Sequence, residues 1–285
     1  MAGRFSRSWG LMKASADVLR SDKSLLMFPL ASSICCLLVA ASFLVPIIVA
    51  LVASGAAVEQ GHRMTVGGYV LLFLFYLVQY FVIIFFNTAL AGAALARLRG
   101  EPTSFGEGMA IARSRIVNIF GYALIAATVG LVLRALQERL GLIGRLVAGF
   151  LGLAWTVATF LVVPVLASQD VGPTEAISRS VDLLKRTWGE NIIGNAGIGV
   201  VFGLLMFLAI VVGALLVGGA FATQSITAII AAIVVVVVGL TMLGLIQASL
   251  QGIYAAALYR YAEDGEVGHG FDQAMLEQAF RPKKK

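Results

Sequence analysis

Inside the apolar stretches of this chain, the side chains with most chemistry to offer are carboxamides. Gly244, Gln247 and Gln251 stand at i, i+3 and i+7, which places them on one face of a helix. Asn195, Asn118 and Asn87 fall at comparable distances from the ends of three other apolar stretches. An amide donates and accepts hydrogen bonds but does not titrate, so its chemistry is recognition rather than proton transfer or nucleophilic attack. Left unpaired in hydrocarbon, each amide would cost several kcal/mol. Asn87, Asn118, Asn195, Gln247 and Gln251 therefore either hydrogen-bond between helices and fix their packing, or line a polar cavity that holds a ligand. The sequence leaves both readings open.

Reactive constellations do not accompany them. The chain has no Gly-x-Ser-x-Gly elbow, P-loop, dinucleotide fingerprint, HExxH or Cys-x-x-Cys. Its two histidines, His62 and His269, fall on opposite sides of a six-span topology and cannot share a site. Cys35 and Cys36 are neighbours on a helix, point apart and make poor disulfide partners. The acidic residues lie outside the apolar stretches, so no buried carboxylate suggests an ion-coupled carrier. The expectation is a protein that is not an enzyme and uses no metal or cofactor.

The elements that must position the amides follow from composition. Of 285 residues, 60% are hydrophobic and 13% charged, and the mean hydropathy is +0.94. Soluble domains carry about 25% charged residues, so this is a membrane protein. Its class is all-α and polytopic. Uncharged runs long enough to cross a hydrocarbon layer of about 30 Å predict six transmembrane helices near Leu25–Val52, Val66–Ala96, Ile116–Leu133, Leu146–Ala167, Ile192–Val217 and Ile226–Ala257. No charge separates the last two, so their boundary rests on Gly218-Gly219 and Thr223-Gln224-Ser225. The second and sixth are longer than a bilayer needs and should tilt or project at the ends carrying Arg97 and Arg260. Arg134 to Leu140 reads as a solvated connection. Pro46 is expected to kink the first span.

A charged, amphipathic helix precedes each pair of spans. After Asp170-Val171-Gly172-Pro173, the residues Ile177, Val181, Leu184 and Trp188 form one stripe, with Arg179, Asp182, Lys185 and Arg186 off it. After Pro102-Thr103, the stripe is Phe105, Met109, Ala112 and Ile116, with a Ser104/Glu107 capping box. At the start of the chain it is Phe5, Trp9, Met12, Ala16 and Leu19. Residues 1–24 are too amphipathic and mixed in charge for a signal peptide. The domain organisation is one six-helix domain over 1–265, in three helical hairpins within repeat-like units 1–98, 102–169 and 173–265, followed by a tail over 266–285. The unit ends rhyme as Ala94-Leu95-Ala96-Arg97 and Ala257-Leu258-Tyr259-Arg260.

Six spans put the N-terminus, the 97–115 and 168–191 connections and the tail on one side, with 17 of the 21 basic residues. By the positive-inside rule both termini are cytoplasmic and the amphipathic helices lie on the inner leaflet of a bacterial plasma membrane. This topology accounts for the net charge of +6 without nucleic acid. Small residues at Ala89, Gly92, Ala93 and Ala96 invite close approach of another helix. Asn195, Gly199 and Gly203, at i, i+4 and i+8, form a packing face for another span of this chain or for a second copy.

The run from Val163 to Gly189, with its Gly172-Pro173 and Ala176-x-x-Arg179-Ser180 step, resembles a broad group of uncharacterised bacterial polytopic proteins. That group includes relatives of the membrane portion of some glycerophosphodiester phosphodiesterases. RFSRSWGLMKASADVLRSDKSLLMFPL and FFNTALAGAALARLRG are similar more narrowly to a six-span bacterial family of unknown function. The resemblance implies architecture and supplies no catalytic residues. The functional expectation is a non-enzymatic inner-membrane protein that handles lipid or an apolar ligand, or serves as an accessory subunit of a membrane assembly. The alternative is a channel or facilitator for an ion or small solute. The expected partners are membrane lipids and either a second copy or another membrane subunit.

Overall fold

The computed structural model describes residues 2–54, 66–139, 141–186 and 191–265. Trp188, His62, His269 and the tail over 266–285 lie outside the described residues, as do the side chains of Phe5, Trp9 and Asn195. The described residues form helices and no strand, and six helices are long and apolar enough to cross a membrane. The chain divides into two compact units. One holds Met27–Ala93 and Thr103–Leu184; the other holds Met1–Leu26, Ala94–Pro102 and Lys185–Lys285.

The first of these contains α2 (Met27–Ser54), most of α3 (Val66–Leu98), α4 (Phe105–Ser114), α5 (Ile116–Arg139), α6 (Gly141–Ala158), α7 (Val162–Ser168) and most of α8 (Pro173–Arg186). Pro46 sits inside α2, which continues through it to Ser54. Gln79 of α3 donates to the Cys36 carbonyl of α2 at 3.1 Å, which pins the hairpin in register. The predicted Ser104/Glu107 capping box starts α4, with the Ser104 N–H donating to Glu107 at 2.8 Å. α5 buries Ile119, Tyr122, Ala123, Ala126 and Ala127, a helical stripe of mostly small residues. It runs on to Arg139 rather than ending near Leu133, so Arg134 lies on the helix and not in a connection. Helix ends are poorly specified by sequence, and an arginine can extend along an apolar surface to keep its head wet.

The fourth span is broken. α6 stops at Ala158, three residues form a turn, and α7 restarts at Val162. Pro164 is the local cause: it has no N–H to return to Phe160, and its ring clashes with a helical carbonyl four residues back.

The other unit contains α1 (Ala2–Ser21), a 3-10 turn over Lys23–Leu26, the end of α3, α9 (Asn191–Ala222) and α10 (Ile226–Asp264). α9 and α10 pack along one another, and α1 packs on both. A Cβ at Gly213 would lie 2.8 Å from Val236, so that glycine sets the closest approach of α9 to α10. The two helices separate at Thr223-Gln224-Ser225, where Gln224 takes the left-handed conformation (φ 54°) and Ser225 caps α10. Gly218 and Gly219 lie inside α9, so the polar triplet and not the glycine pair makes the turn. α10 is 39 residues long, about 58 Å at 1.5 Å per residue, nearly twice a hydrocarbon core. Its first half exposes Ile226, Ile230, Val234, Val235 and Val238, while its last turns bury Leu250, Ile253, Tyr254, Ala257 and Leu258. The excess length is therefore packed in protein at the Arg260 end. There the Arg260 guanidinium donates to the Leu98 carbonyl at the close of α3. Gly100, at φ 82°, completes that close, with the Glu101 N–H bonded to the Ala96 carbonyl at 3.1 Å.

Candidate functional site

The amides do not all find the same kind of surroundings. Asn118, in the first turn of α5, donates to Asp170 at 3.2 Å. Arg115, between α4 and α5, meets the same carboxylate oxygen at 2.6 Å. Asn118 is thus part of a polar junction at the mouth of the span rather than an isolated intramembrane group. Asn87 is half-buried on α3 and makes no side-chain hydrogen bond among the described residues. Gln247 and Gln251 are half-buried on α10, beside the buried Ser249, whose hydroxyl returns to its own helix at the Leu245 carbonyl.

α1, α4 and α8 each dock on protein through a face that includes small residues. α4 buries Gly108 and Ala112, while Phe105 and Met109 are half-exposed and Ile116 is exposed. A Cβ on Gly108 would sit 2.5 Å from the Phe28 ring of α2 and 2.8 Å from the Ala89 carbonyl of α3. The small-residue half of α3, with Gly92 against Ile111, is what α4 approaches. Phe28 and Phe105 close the contact with ring centroids 4.9 Å apart. α8 buries Ala176, Ser180, Leu183 and Leu184, a face turned by about one residue from the expected Ile177–Val181–Leu184 stripe. α1 likewise buries Ala14, Ser15, Val18 and Leu19, and leaves Met12 and Ala16 half-exposed. In α4 the buried face consists of small residues alone, because close helix contact selects small side chains, whereas α8 and α1 add Leu183, Leu184, Val18 and Leu19 to their small residues.

Ser180 also repairs the broken span. Its hydroxyl donates to the Ala158 carbonyl at 2.7 Å and accepts from the Leu161 N–H at 3.1 Å. Fully buried, it supplies both partners that the interrupted helix lost. Pro173, at the first position of α8, lies over Gly121 of α5, where a Cβ would be 3.0 Å from its ring. Arg179 is held by Glu175 at 2.7 Å and by Gln169.

A second set of polar groups was not expected from sequence and consists of hydroxyls. On α3, Tyr76 and Tyr80 stand one turn apart with ring centroids at 6.4 Å. Arg134 of α5 donates to the Tyr76 hydroxyl at 2.9 Å and to Glu138 at 2.8 Å. The Tyr80 hydroxyl reaches Gly130, where a Cβ would be 3.3 Å away. Tyr122 lies within electrostatic reach of Tyr80, and its hydroxyl is beside Thr159 of the α6–α7 turn. The available sequence signal was Tyr76-x-x-x-Tyr80 facing the Ala/Gly stripe of α5. A tyrosine hydroxyl is invisible to a hydropathy count, whereas an amide stands out from it. Among the described residues no three His, Cys, Asp or Glu side chains converge as a metal site would require.

The Gly199/Gly203 face of α9 meets no described atom within 4 Å of either glycine's added Cβ, so it is not a contact with another described span. The Asn195 side chain of that face lies outside the described residues.

Residues 66–271 match a family of unknown function (DUF6159). No curated protein matches the chain, and no solved structure does. Nothing in these comparisons supports the distant likeness to the membrane portion of glycerophosphodiester phosphodiesterases. The match runs from the start of α3 to beyond the end of α10 and includes α4 to α8, and on that span the chain, with its six helices long and apolar enough to cross a membrane, belongs to the DUF6159 family of unknown function.

Proposed function

We propose that this protein is a non-enzymatic, multi-pass component of the bacterial inner membrane that handles lipid, with both termini cytoplasmic. The observation that carries the reading is the division of labour on α1, α4 and α8. Each turns one face, with small residues in it, into the protein and leaves cations outward, with Lys13, Arg20, Arg113, Arg179 and Lys185 all exposed. Helices held on protein with their basic residues on the exposed side suit an anionic membrane surface, where a charge near the surface contributes about 1 kcal/mol. Fixing the helices on the spans couples that surface to the transmembrane part. The basic residues gathered at one set of span ends support the cytoplasmic placement.

The test is lipid retention. Full-length protein purified in mild detergent should keep anionic phospholipid through extensive washing, and lipid extraction with mass spectrometry should find it enriched over the membrane from which it came. Retention at bulk composition would refute lipid handling and leave the accessory-subunit role. A channel or facilitator is the second reading, favoured by the half-buried Asn87, Gln247 and Gln251. It requires solute or ion flux in liposomes, which a lipid-handling protein does not give.

A further inference from the structure

The hydroxyl set has a length and a polarity that interhelical packing alone does not require. Asn118 and Arg134 lie on α5 sixteen residues apart, about 24 Å along the helix, most of a hydrocarbon core of about 30 Å. Between them stand Tyr122 beside Thr159, then Tyr80 against Gly130, then Tyr76 bonded to Arg134. A guanidinium closes each end. Arg115 sits next to Asn118 on Asp170, with its buried Nε atom unpartnered, and Arg134 sits on Tyr76 with 43% of its side chain exposed. Tyr76, Tyr80 and Thr159 are half-buried and flank a seam, with Tyr122 buried beneath it. All of these residues belong to the unit holding Met27–Ala93 and Thr103–Leu184.

We propose that the α3–α5 seam is a track for phospholipid headgroups, along which a headgroup exchanges its phosphate contact between Arg134 at one end and Arg115 at the other. A phosphate accepts hydrogen bonds and carries negative charge, which matches phenol hydroxyls between two guanidiniums. The acyl chains need no site, because the seam borders lipid. Asp170 and Glu138 hold the two arginines in place and lower their net charge, which favours passage over permanent capture. No covalent step is involved. This inference rests on the lipid-handling reading above and adds a path to it.

The experiment uses the full chain in liposomes of phosphatidylethanolamine and phosphatidylglycerol with a trace of headgroup-labelled fluorescent lipid, bleached from outside by dithionite. Wild-type protein should carry bleaching past the outer-leaflet share. The triple variant Tyr76→Phe/Tyr80→Phe/Tyr122→Phe keeps every ring and should slow the second phase about tenfold, the scale of one or two lost hydrogen bonds. Tyr69→Phe, altering a tyrosine outside the seam, should leave the rate unchanged. If the triple variant does not fold, Tyr80→Phe and Arg134→Met take its place and should each slow the phase. Bleaching equal to that of protein-free vesicles overturns the track, as does an unchanged rate in the phenylalanine variant. Leakage of a trapped small dye at the rate of lipid movement also overturns it, in favour of a solute pore. Lipid retained in detergent but not moved in vesicles would overturn the track and leave the lipid-handling reading standing.

Discussion

Replacing Ser180 with alanine removes one oxygen and leaves two backbone groups without their partner. The Ala158 carbonyl loses a donor at 2.7 Å and the Leu161 N–H loses an acceptor at 3.1 Å, at a position with no solvent exposure. A buried polar group left unsatisfied costs about 1–3 kcal/mol. Two such groups, less the desolvation of the hydroxyl that alanine no longer buries, give an expected loss of about 2–4 kcal/mol. The assay is equilibrium unfolding in mixed micelles with rising dodecyl sulfate, followed by tryptophan fluorescence and far-UV circular dichroism. Ser178→Ala, on the exposed side of the same helix, should stay within about 0.5 kcal/mol of wild type. Ser180→Cys, with a weak donor and acceptor in place of the hydroxyl, should fall between them. A Ser180→Ala protein as stable as Ser178→Ala would mean that water or a rearranged turn satisfies the break, and that Ser180 is not what holds α6 to α7.

Gly108→Ala places a methyl 2.8 Å from a backbone carbonyl that cannot rotate away, and should cost about 1–3 kcal/mol, whereas Gly203→Ala meets nothing within 4 Å and should be neutral or slightly stabilising in the same unfolding titration. Arg115→Met breaks an ion pair whose aspartate is 75% exposed, so it should change stability by no more than about 1 kcal/mol while reducing retained anionic lipid; the reverse pattern would make the junction purely structural. In a background lacking Cys35 and Cys36, cysteines at Thr65 and Thr223 should react with an impermeant thiol reagent added to intact cells, and cysteines at Ser104 and Ser178 should not; labelling at Ser104 would invert the topology. Gln247→Leu/Gln251→Leu should fold normally and leave lipid movement unchanged if the seam carries it, and loss of transport in this variant would move the site to α10.

Much of the architecture was legible because the signals are local. The Ser104/Glu107 box and the Thr223-Gln224-Ser225 turn each declare themselves within a few residues, and both form as their side-chain chemistry requires. The break after Ala158 was not legible. Pro164 advertises a missing N–H, but the serine that compensates lies sixteen residues further on in another helix. The docking faces were misjudged by one step because a hydrophobic stripe ranks residues by apolar area, while the distance between two helix axes is set by the smallest residues between them. Gly108 and Ser180 contribute little or nothing to such a stripe and are among the most completely enclosed residues of their helices. The amides stand out in the sequence for the converse reason. They are the groups hydropathy penalises in a span, whereas Tyr76, Tyr80 and Tyr122 pass as apolar rings until their hydroxyls are placed.

A docking pattern recurs along the chain. Ser15-Ala16-Asp17-Val18-Leu19-Arg20 in α1 and Ser180-Val181-Asp182-Leu183-Leu184-Lys185 in α8 share a pattern: serine, small or branched apolar, aspartate, two branched apolar residues and a cation. In both, the serine and the apolar pair are buried and the aspartate and the cation are exposed. The pattern thus encodes a face that seats on another hairpin, with a charged edge kept out of the contact. α4 rests on α2 and α3, α8 rests on the α5 to α7 hairpin, and α1 rests on α9 and α10. Lipid-facing helices have no hydrophobic force to bring them together, so their association depends on close packing and hydrogen bonds. A helix that buries serine and small residues on a neighbouring hairpin supplies both. The broken span is closed where α8 brings Ser180 to the backbone that Pro164 interrupts.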